Sequence, residues 1–307
     1  MIKIADIVVT YNRKKLLKEN LEALINQTYK YHKIFVIDNN STDGTEEMVR
    51  SLNSDFIVYY NTNKNLGGAG GFSFGLEKAI ENGYDFAWIM DDDAIPDEKA
   101  LESLVNKSKQ IDYDFSFLAS LVYWTDNKLF EMNVPSFKYK NKNDAKIDLI
   151  SKYKLMPIDE ASFVGCFVNI ECVKKVGLPI ADFFIYGDDV EFTQRMKKEK
   201  NAYLDLDSII IHKAPSNKGA DIITCDKERI QRFYYQSRNG MYIARKNHKL
   251  LGRFKLIFKR FMGIIMKAPN YKLKRIYVLL KGTLKGIFYN PKIKTFKKGT
   301  EENEEIY

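Results

Sequence analysis

Three adjacent carboxylates, Asp91-Asp92-Asp93, follow the apolar run Phe86–Met90. Neighbouring like charges repel unless a cation sits among them. A hard divalent ion with oxygen ligands, Mg2+ or Mn2+, satisfies such a cluster. It would also hold a diphosphate and neutralise it on departure. The alternative is a solvated acidic turn ahead of a helix that Pro96 opens. About 95 residues later, Asp188-Asp189 with Glu191 form a second acidic cluster, after the aromatic run Phe183-Phe184-Ile185-Tyr186. One carboxylate there suits a general base that takes a proton from an attacking hydroxyl. Helix N-capping is the competing use of Asp at that place, and the two aspartates can divide the roles. His212 closes the apolar run Ile209–Ile211. It is either a packed, hydrogen-bonded histidine or a ligand, and imidazole suits Mn2+ better than Mg2+. Asn65-Leu66-Gly67-Gly68-Ala69-Gly70-Gly71 opens a helix without matching the dinucleotide or P-loop fingerprints. Its glycines permit close backbone approach, and a helix N-terminus favours phosphate.

These groups need a scaffold that brings them together. Ile4–Thr10, Lys33–Asp38, Phe56–Tyr60 and Phe86–Met90 read as strands. Between and after them, helical spacing covers 14–26, 45–52, 71–82 and 96–108, the last opened by Pro96 with Asp97 and Glu98 in its first turn. Four strand–helix alternations predict a doubly wound, mostly parallel α/β sheet, with ligands outside the carboxyl ends of its strands. The polar clusters Thr10–Arg13, Asp38–Asn40 and Asp91–Asp93 all fall at those ends and should converge on one crevice. Residues 111–160 carry no clear period, and Lys138–Lys146 reads as a loop. Further on, 162–170 and 209–211 read as strands, 171–176 and 190–200 as helices.

Taken together, Thr10-Tyr11-Asn12-Arg13, Val36–Thr45, Asn65–Phe72, Met90–Asp93, Phe183–Glu191 and His212 resemble the inverting family-2 glycosyltransferases of the GT-A fold. The resemblance is nearest to bacterial galactofuranosyl- and rhamnosyltransferases, and runs from about residue 4 to 245. It implies that Thr10, Arg13 and Asp38 hold the nucleoside and diphosphate of a UDP-galactofuranose or dTDP-rhamnose donor. UDP-galactofuranose is favoured because of His212. Asn65, Gly67, Gly68, Gly71 and Phe72 would line the donor pocket. Asp91 and Asp93 would bind metal and nucleotide, with His212 as a further metal ligand. Asp189 would be the catalytic base, with Asp188 and Glu191 orienting a glycan acceptor. One displacement from the face opposite the diphosphate inverts the anomeric carbon, without the paired carboxyls and water of a hydrolase.

Composition bounds the rest. With 307 residues and 45% apolar side chains, the chain can build a large core. Cys166, Cys172 and Cys225 are too few for a disulfide framework and lack zinc-site spacing, so a reducing, cytosolic compartment is expected. No signal peptide and no membrane-spanning segment are read. Charge is uneven: residues 228–298 hold 20 Lys and Arg against Glu228, while the first 227 residues are net acidic. The expected division is a catalytic domain over 1–225 and a basic, aromatic helical region over 226–307. Helices such as 250–261 and 273–281 suit an anionic membrane surface at the inner face of the plasma membrane, where a lipid-linked glycan would be the acceptor. The competing reading is an ordinary helical subdomain with a solvated lysine face. No nucleic-acid module is present, and no such partner is expected. Two other functions fit parts of the pattern. A nucleotidyltransferase shares an aspartate cluster on a similar sheet but lacks here a basic glycine-rich phosphate loop near residue 12. A non-enzymatic adaptor would use the basic arm alone.

Overall fold

A computed structural model describes residues 2–137, 147–296 and 304–306. The loop read at Lys138–Lys146 falls outside them. The first half of the chain alternates as its apolar periods require: β1 (Ile4–Thr10), α1 (Lys14–Ile25), β2 (His32–Asp38), α2 (Thr45–Ser51), β3 (Ile57–Asn61), α3 (Gly67–Glu81) and β4 (Phe86–Asp91). There follow β5 (Ala94–Pro96), α4 (Ala100–Gln110), β6 (Phe117–Trp124), α5 (Ile147–Tyr153), β7 (Leu155–Pro157), β8 (Cys166–Asn169) and α6 (Ile170–Val176). The chain closes with α7 (Asp188–Glu199), β9 (Ala202–His212), α8 (Arg232–Lys246), α9 (Leu250–Lys267), α10 (Lys272–Ile287) and the hairpin pair β10 (Ile293–Thr295) and β11 (Glu304–Ile306).

The main sheet runs β3-β2-β1-β4-β8-β6-β9-β5, with β7 on β9. β3, β2, β1 and β4 are parallel, as are β6 and β9, whereas β8 is antiparallel to both its neighbours. β1, apolar apart from the buried Asp6, is covered on both faces. Ile4 and Val8 face α1 and α4 through Leu17, Leu21, Leu24, Leu101 and Leu104. Ala5, Ile7 and Val9 face Phe72, Leu76, Phe192 and Met196 of α3 and α7.

Four boundaries differ from those read in the sequence. Pro96 does not open a helix. It ends β5, an edge strand on β9, where a missing N–H is tolerated, and the helix begins at Ala100. α3 begins at Gly67, so the glycine run forms its first turns. Glycine is required there for packing: a Cβ at Gly71 would lie 2.5 Å from Val9 Cγ1, and one at Gly75 2.4 Å from Ile7 Cγ2. The strand read over 162–170 is only Cys166–Asn169, while β9 extends the short run at 209–211 to eleven residues.

The basic C-terminal helices have a core of their own, built from Ile230, Phe233, Met241, Ile257, Ile264, Val278 and Leu279. They are also fastened to the body. Arg238 and Asn239 of α8 bond the backbone at 182–186, Lys294 pairs with Glu77 of α3, and Leu178 N donates to the Lys294 carbonyl.

Candidate active site

Parallel register brings the first polar clusters together. Thr10 lies beside Asp38, and Val9 beside Asp91, at the carboxyl ends of β1, β2 and β4. Thr10 Oγ1 donates to Asp92 Oδ2 at 2.7 Å. Arg13 Nη1 donates to Asp92 at 3.0 Å and to Asp93 at 2.7 Å, with its side chain 43% exposed. Asp38 is buried and accepts from Tyr59 Oη and from the Ser41 N–H. Asn39 joins this cluster to the next, since its amide donates to the Gly67 carbonyl and its Oδ1 accepts from Leu66 N. Asn65 Oδ1 accepts from Gly67 N at 2.8 Å, which helps hold Gly67 at φ +70°.

β5 turns the chain back along β9 and sets Ala94 opposite His212. His212 Nε2 therefore stands 3.0 Å from Asp93 Oδ1, and its Nδ1 2.9 Å from Asn133 Oδ1. The Phe130 ring packs edge-on against the imidazole, with centroids 4.7 Å apart. Asp91, Asp93 and His212 each offer one ligand atom, all within 4.8 Å of one another. Burial and the neighbouring Asp93 push the Asp91 carboxyl up to about 7, and burial pushes Asp92 up to about 6 against the pull of Arg13. Burial also acts against Asp93, but His212 and Arg13 outweigh it and hold that carboxyl low. For His212, burial disfavours the cation, but bonding to Asp93 outweighs it and raises the imidazole. A divalent cation fits this set. The oxygens are hard donors in excess negative charge, and with Nδ1 turned to Asn133 a bound ion would take the place of the Nε2 proton that bonds Asp93.

The second acidic cluster is delivered by an unusual turn. Phe184, Tyr186 and Gly187 have φ of 63°, 69° and 83°, three left-handed residues in four. The turn is held from both sides. Ala69 N donates to the Phe184 carbonyl, where Gly67 leaves no room for a Cβ, which would lie 2.1 Å from that oxygen. From α8, Asn239 Nδ2 reaches the carbonyls of Phe183, Ile185 and Tyr186, and Arg238 Nη2 that of Asp182. Asp188 and Asp189 then open α7, with Asp189 Oδ1 accepting from Val190 N at 2.8 Å. Burial, followed by the charge of Asp189, drives the Asp188 carboxyl far above its usual range; the Asp91 charge adds to this. Asp189 is raised by burial only to about 6. Burial thus raises both carboxyls, that of Asp188 the further.

A family model described as glycosyl transferase family 2 matches residues 7–169. The chain belongs to this family. It is a glycosyltransferase with a GT-A fold. Galactofuranosyltransferase GlfT1 of Mycolicibacterium smegmatis is 28% identical over 195 residues, 62% of this chain and 64% of that protein. GlfT1 of Mycobacterium tuberculosis is 25% identical over 280 residues, 86% and 90% of the two chains. Among solved structures, the mannosyltransferase PcManGT of Pyrobaculum calidifontis, in complex with GDP-Man and Mn2+, superposes with a TM-score of 0.56. It shares 16% identity and covers 93% of this chain and 87% of that one, a likeness of fold. The family-2 match ends at β8 and so includes the triple aspartate but neither Asp189 nor His212.

Two residues expected in the family-2 site make structural contacts. Glu191 gives both carboxylate oxygens to Arg195, which in turn caps the carbonyls of Val176, Gly177 and Leu178 and braces the turn after α6. Phe72 is 3% exposed and packs edge-on against Phe163 in the core, because α3 turns that face toward the sheet. Of the glycines, Gly71 packs on Val9 and Gly67 under Phe184, while Gly68 keeps an open face. Asn133, Glu160 and the loop-holding side chain of Asn239 escape sequence reasoning.

Proposed function

We propose that the protein is a metal-dependent inverting transferase that moves galactofuranose from UDP-galactofuranose to a hydroxyl of a glycan acceptor, in cell-surface polysaccharide synthesis. dTDP-rhamnose is the next donor to consider. The observation that carries this reading is that the turn before α7 brings Asp188 near enough to feel the charge of Asp91, which belongs to the Asp91, Asp93 and His212 group. The GlfT1 likenesses support the choice of sugar.

Asp91, Asp93 and His212 would hold a divalent ion, Mn2+ suiting the imidazole, and such an ion supplies charge neutralisation at the departing diphosphate. Thr10, Arg13 and Asp38 line the donor end. Thr10 and Arg13 keep Asp92 and Asp93 in place, which leaves the outer edge of the half-exposed Arg13 for the donor. Asp189 accepts the proton of the acceptor hydroxyl. That oxygen attacks the anomeric carbon from the face opposite the diphosphate, and the configuration inverts in one displacement. Asp188, protonated, serves as a hydrogen-bond donor to the acceptor.

Among the described residues no helix is long and apolar enough to cross a membrane. α9 and α10 nevertheless expose Leu251, Phe258, Met266, Leu273, Tyr277 and Leu284 among lysines. This supports attachment to an anionic membrane surface on the cytoplasmic side, where a lipid-linked acceptor is presented.

The deciding experiment is a panel of nucleotide sugars with Mn2+, read by thermal stabilisation and then by product analysis. A donor at a hundredfold its Kd adds about 2.7 kcal/mol to stability. Selective stabilisation by UDP-galactofuranose, followed by transfer with inversion, is the expected result. Stabilisation by another donor alone would reassign the sugar.

A further inference from the structure

A cavity of about 530 Å³ lies where α8 and α9 meet the start of α7. Its lining includes Glu160, Tyr186, Gly187, Gln236, Lys249 and Arg253. Two of these immediately precede the Asp188-Asp189 pair. Glu160, held by Gln194, stands close enough to Asp189 for its charge to raise that carboxyl.

Arg253 enters this cavity from α9 with its hydrogen-bonding capacity incompletely used. Nη2 donates to the Gln236 carbonyl at 2.7 Å, but Nε is buried without an acceptor and Gln236 Oε1 without a donor. Among the described residues no carboxylate pairs with Arg253; the neighbouring charge that acts on it is the cation Arg260. The seat is shaped for this side chain. Gly240 of α8 has no Cβ, and one placed there would lie 2.0 Å from Arg253 Nη2. A guanidinium held by backbone, short of acceptors and lacking a counter-ion is arranged to take a planar or tetrahedral oxyanion in a bidentate grip.

We propose that this cavity is the acceptor subsite, and that Arg253, assisted by Lys249, receives a phosphoryl group carried by the acceptor. The Glu160 end, beside Asp189, takes the neutral hydroxyls of the sugar to be extended. The assignment rests on the transferase reading of Asp189. It adds that the acceptor is anionic, with its phosphoryl group either in the linkage to a lipid carrier or in a phosphodiester of the glycan.

Calorimetric binding to the full chain in metal-free buffer tests this with octyl diphosphate, inorganic pyrophosphate and neutral octyl glucoside. Octyl diphosphate should bind wild type, and Arg253→Ala should weaken it about tenfold or more. Arg253→Lys, which keeps charge without the fork, should fall between. Gly240→Ala, which displaces the guanidinium, should match Arg253→Ala, with melting curves reporting that each variant is folded. Tighter binding of octyl diphosphate than of pyrophosphate assigns a lipid-borne group; equal binding assigns a phosphoryl group irrespective of chain. Wild-type affinity in Arg253→Ala, or equal affinity for the glucoside, overturns the proposal. In transfer assays, Arg253→Ala should raise the KM of a phosphoryl-bearing acceptor about tenfold and leave the donor KM unchanged. Absence of transfer by wild type with every donor and acceptor would instead overturn the transferase reading, and the binding arm would still decide Arg253.

Discussion

The side-chain amide of Asn239 lies 2.8 Å from the carbonyl of Tyr186, two residues before Asp188. The same nitrogen lies 3.0 Å from the Phe183 carbonyl and 3.1 Å from that of Ile185, and Arg238 Nε donates to Asn239 Oδ1 at 2.9 Å. Arg238 itself is sandwiched, its guanidinium 4.2 Å from the Tyr289 ring centroid and 5.1 Å from that of Tyr235. One buried amide thus organises the left-handed turn that leads into Asp188 and Asp189, the latter the proposed base. Asn239→Ala strips the donor from several carbonyls at once, at a cost of about 1–3 kcal/mol for each that stays unpaired. We expect kcat to fall roughly 10- to 100-fold, since misplacement by about 1 Å costs that much. Donor affinity should be nearly unchanged. Asn239→Asp, equal in shape but without the N–H, should lose as much. Parallel loss of donor affinity would show a general unfolding of the site instead.

Asp189 sets the pH dependence. Burial raises its carboxyl to about 6, and the working form is the carboxylate. kcat/KM should therefore fall as pH drops through 6 and level off above it. The same burial raises the Asp188 carboxyl further. Asp189→Asn should abolish transfer, by roughly 10²–10⁴-fold or more, while leaving donor-induced stabilisation intact. Turnover near wild type in that variant would remove Asp189 from the role of base.

Asn133 takes no part in the reaction and yet governs His212. By accepting from Nδ1 at 2.9 Å it fixes the tautomer that leaves Nε2 for an ion. Asn133→Ala should weaken Mn2+ binding about 10- to 100-fold, as loss of such outer partners does, and His212→Ala should weaken it further. Metal titration followed by electron paramagnetic resonance of free Mn2+ reads this directly, without a sugar substrate. Equal affinity in all three proteins would move the cation away from His212.

How much of this was legible in the sequence follows from range. Thr10, Asp38 and Asp91–Asp93 stand at the ends of short apolar runs, so strand periodicity alone places them at one edge. Asn133 and Glu160 were not legible. They sit in the irregular stretch between β6 and β8, whose backbone is set by distant pairings such as Asp159 N to the Ser136 carbonyl. Asn239 is one polar residue in a helix, and nothing local announces that its partners lie more than fifty positions earlier. Pro96 and Gly71 misled for a shared reason. Each has a local use, helix start or phosphate approach, that yields to a packing demand from another strand. The neighbourhood of Glu191 to Asp189 in sequence says nothing of its partner Arg195 one helical turn on.

The glycines of α3 give a stability prediction. Gly71→Ala would place a methyl 2.5 Å from Val9 Cγ1, with backbone of β1 fixed by its neighbours on either side. Ala is the better helix former by about 1 kcal/mol. Overpacking of this kind costs about 1–3 kcal/mol, so the clash wins and the melting temperature should drop. Gly68→Ala, with nothing nearer than Phe72 Cε2 at 4.0 Å, should leave it level or raise it. The opposite order in a pair of calorimetric melts would show that α3 sits farther from the sheet.

The outer face of α9 and α10 is the last element to bear on function. Leu251 and Phe258 are 72% and 66% exposed, seven residues apart and therefore on one stripe of α9; Leu273, Tyr277 and Leu284 mark a similar stripe on α10. Neither stripe joins the core of Ile257, Ile264, Val278 and Leu279, which faces α8. A single exposed Leu or Phe buried in lipid gains about 1.5–3 kcal/mol, and each nearby lysine about 1 kcal/mol at an anionic surface. Two apolar contacts with two lysines therefore suffice for measurable attachment. Leu251→Glu with Phe258→Glu should abolish co-sedimentation with vesicles of phosphatidylglycerol and phosphatidylethanolamine. It should leave thermal stabilisation by the donor unchanged, because neither side chain touches the cleft. Wild-type sedimentation that is weak, or that survives both substitutions, would leave the lysine face simply solvated and the helices as packing alone.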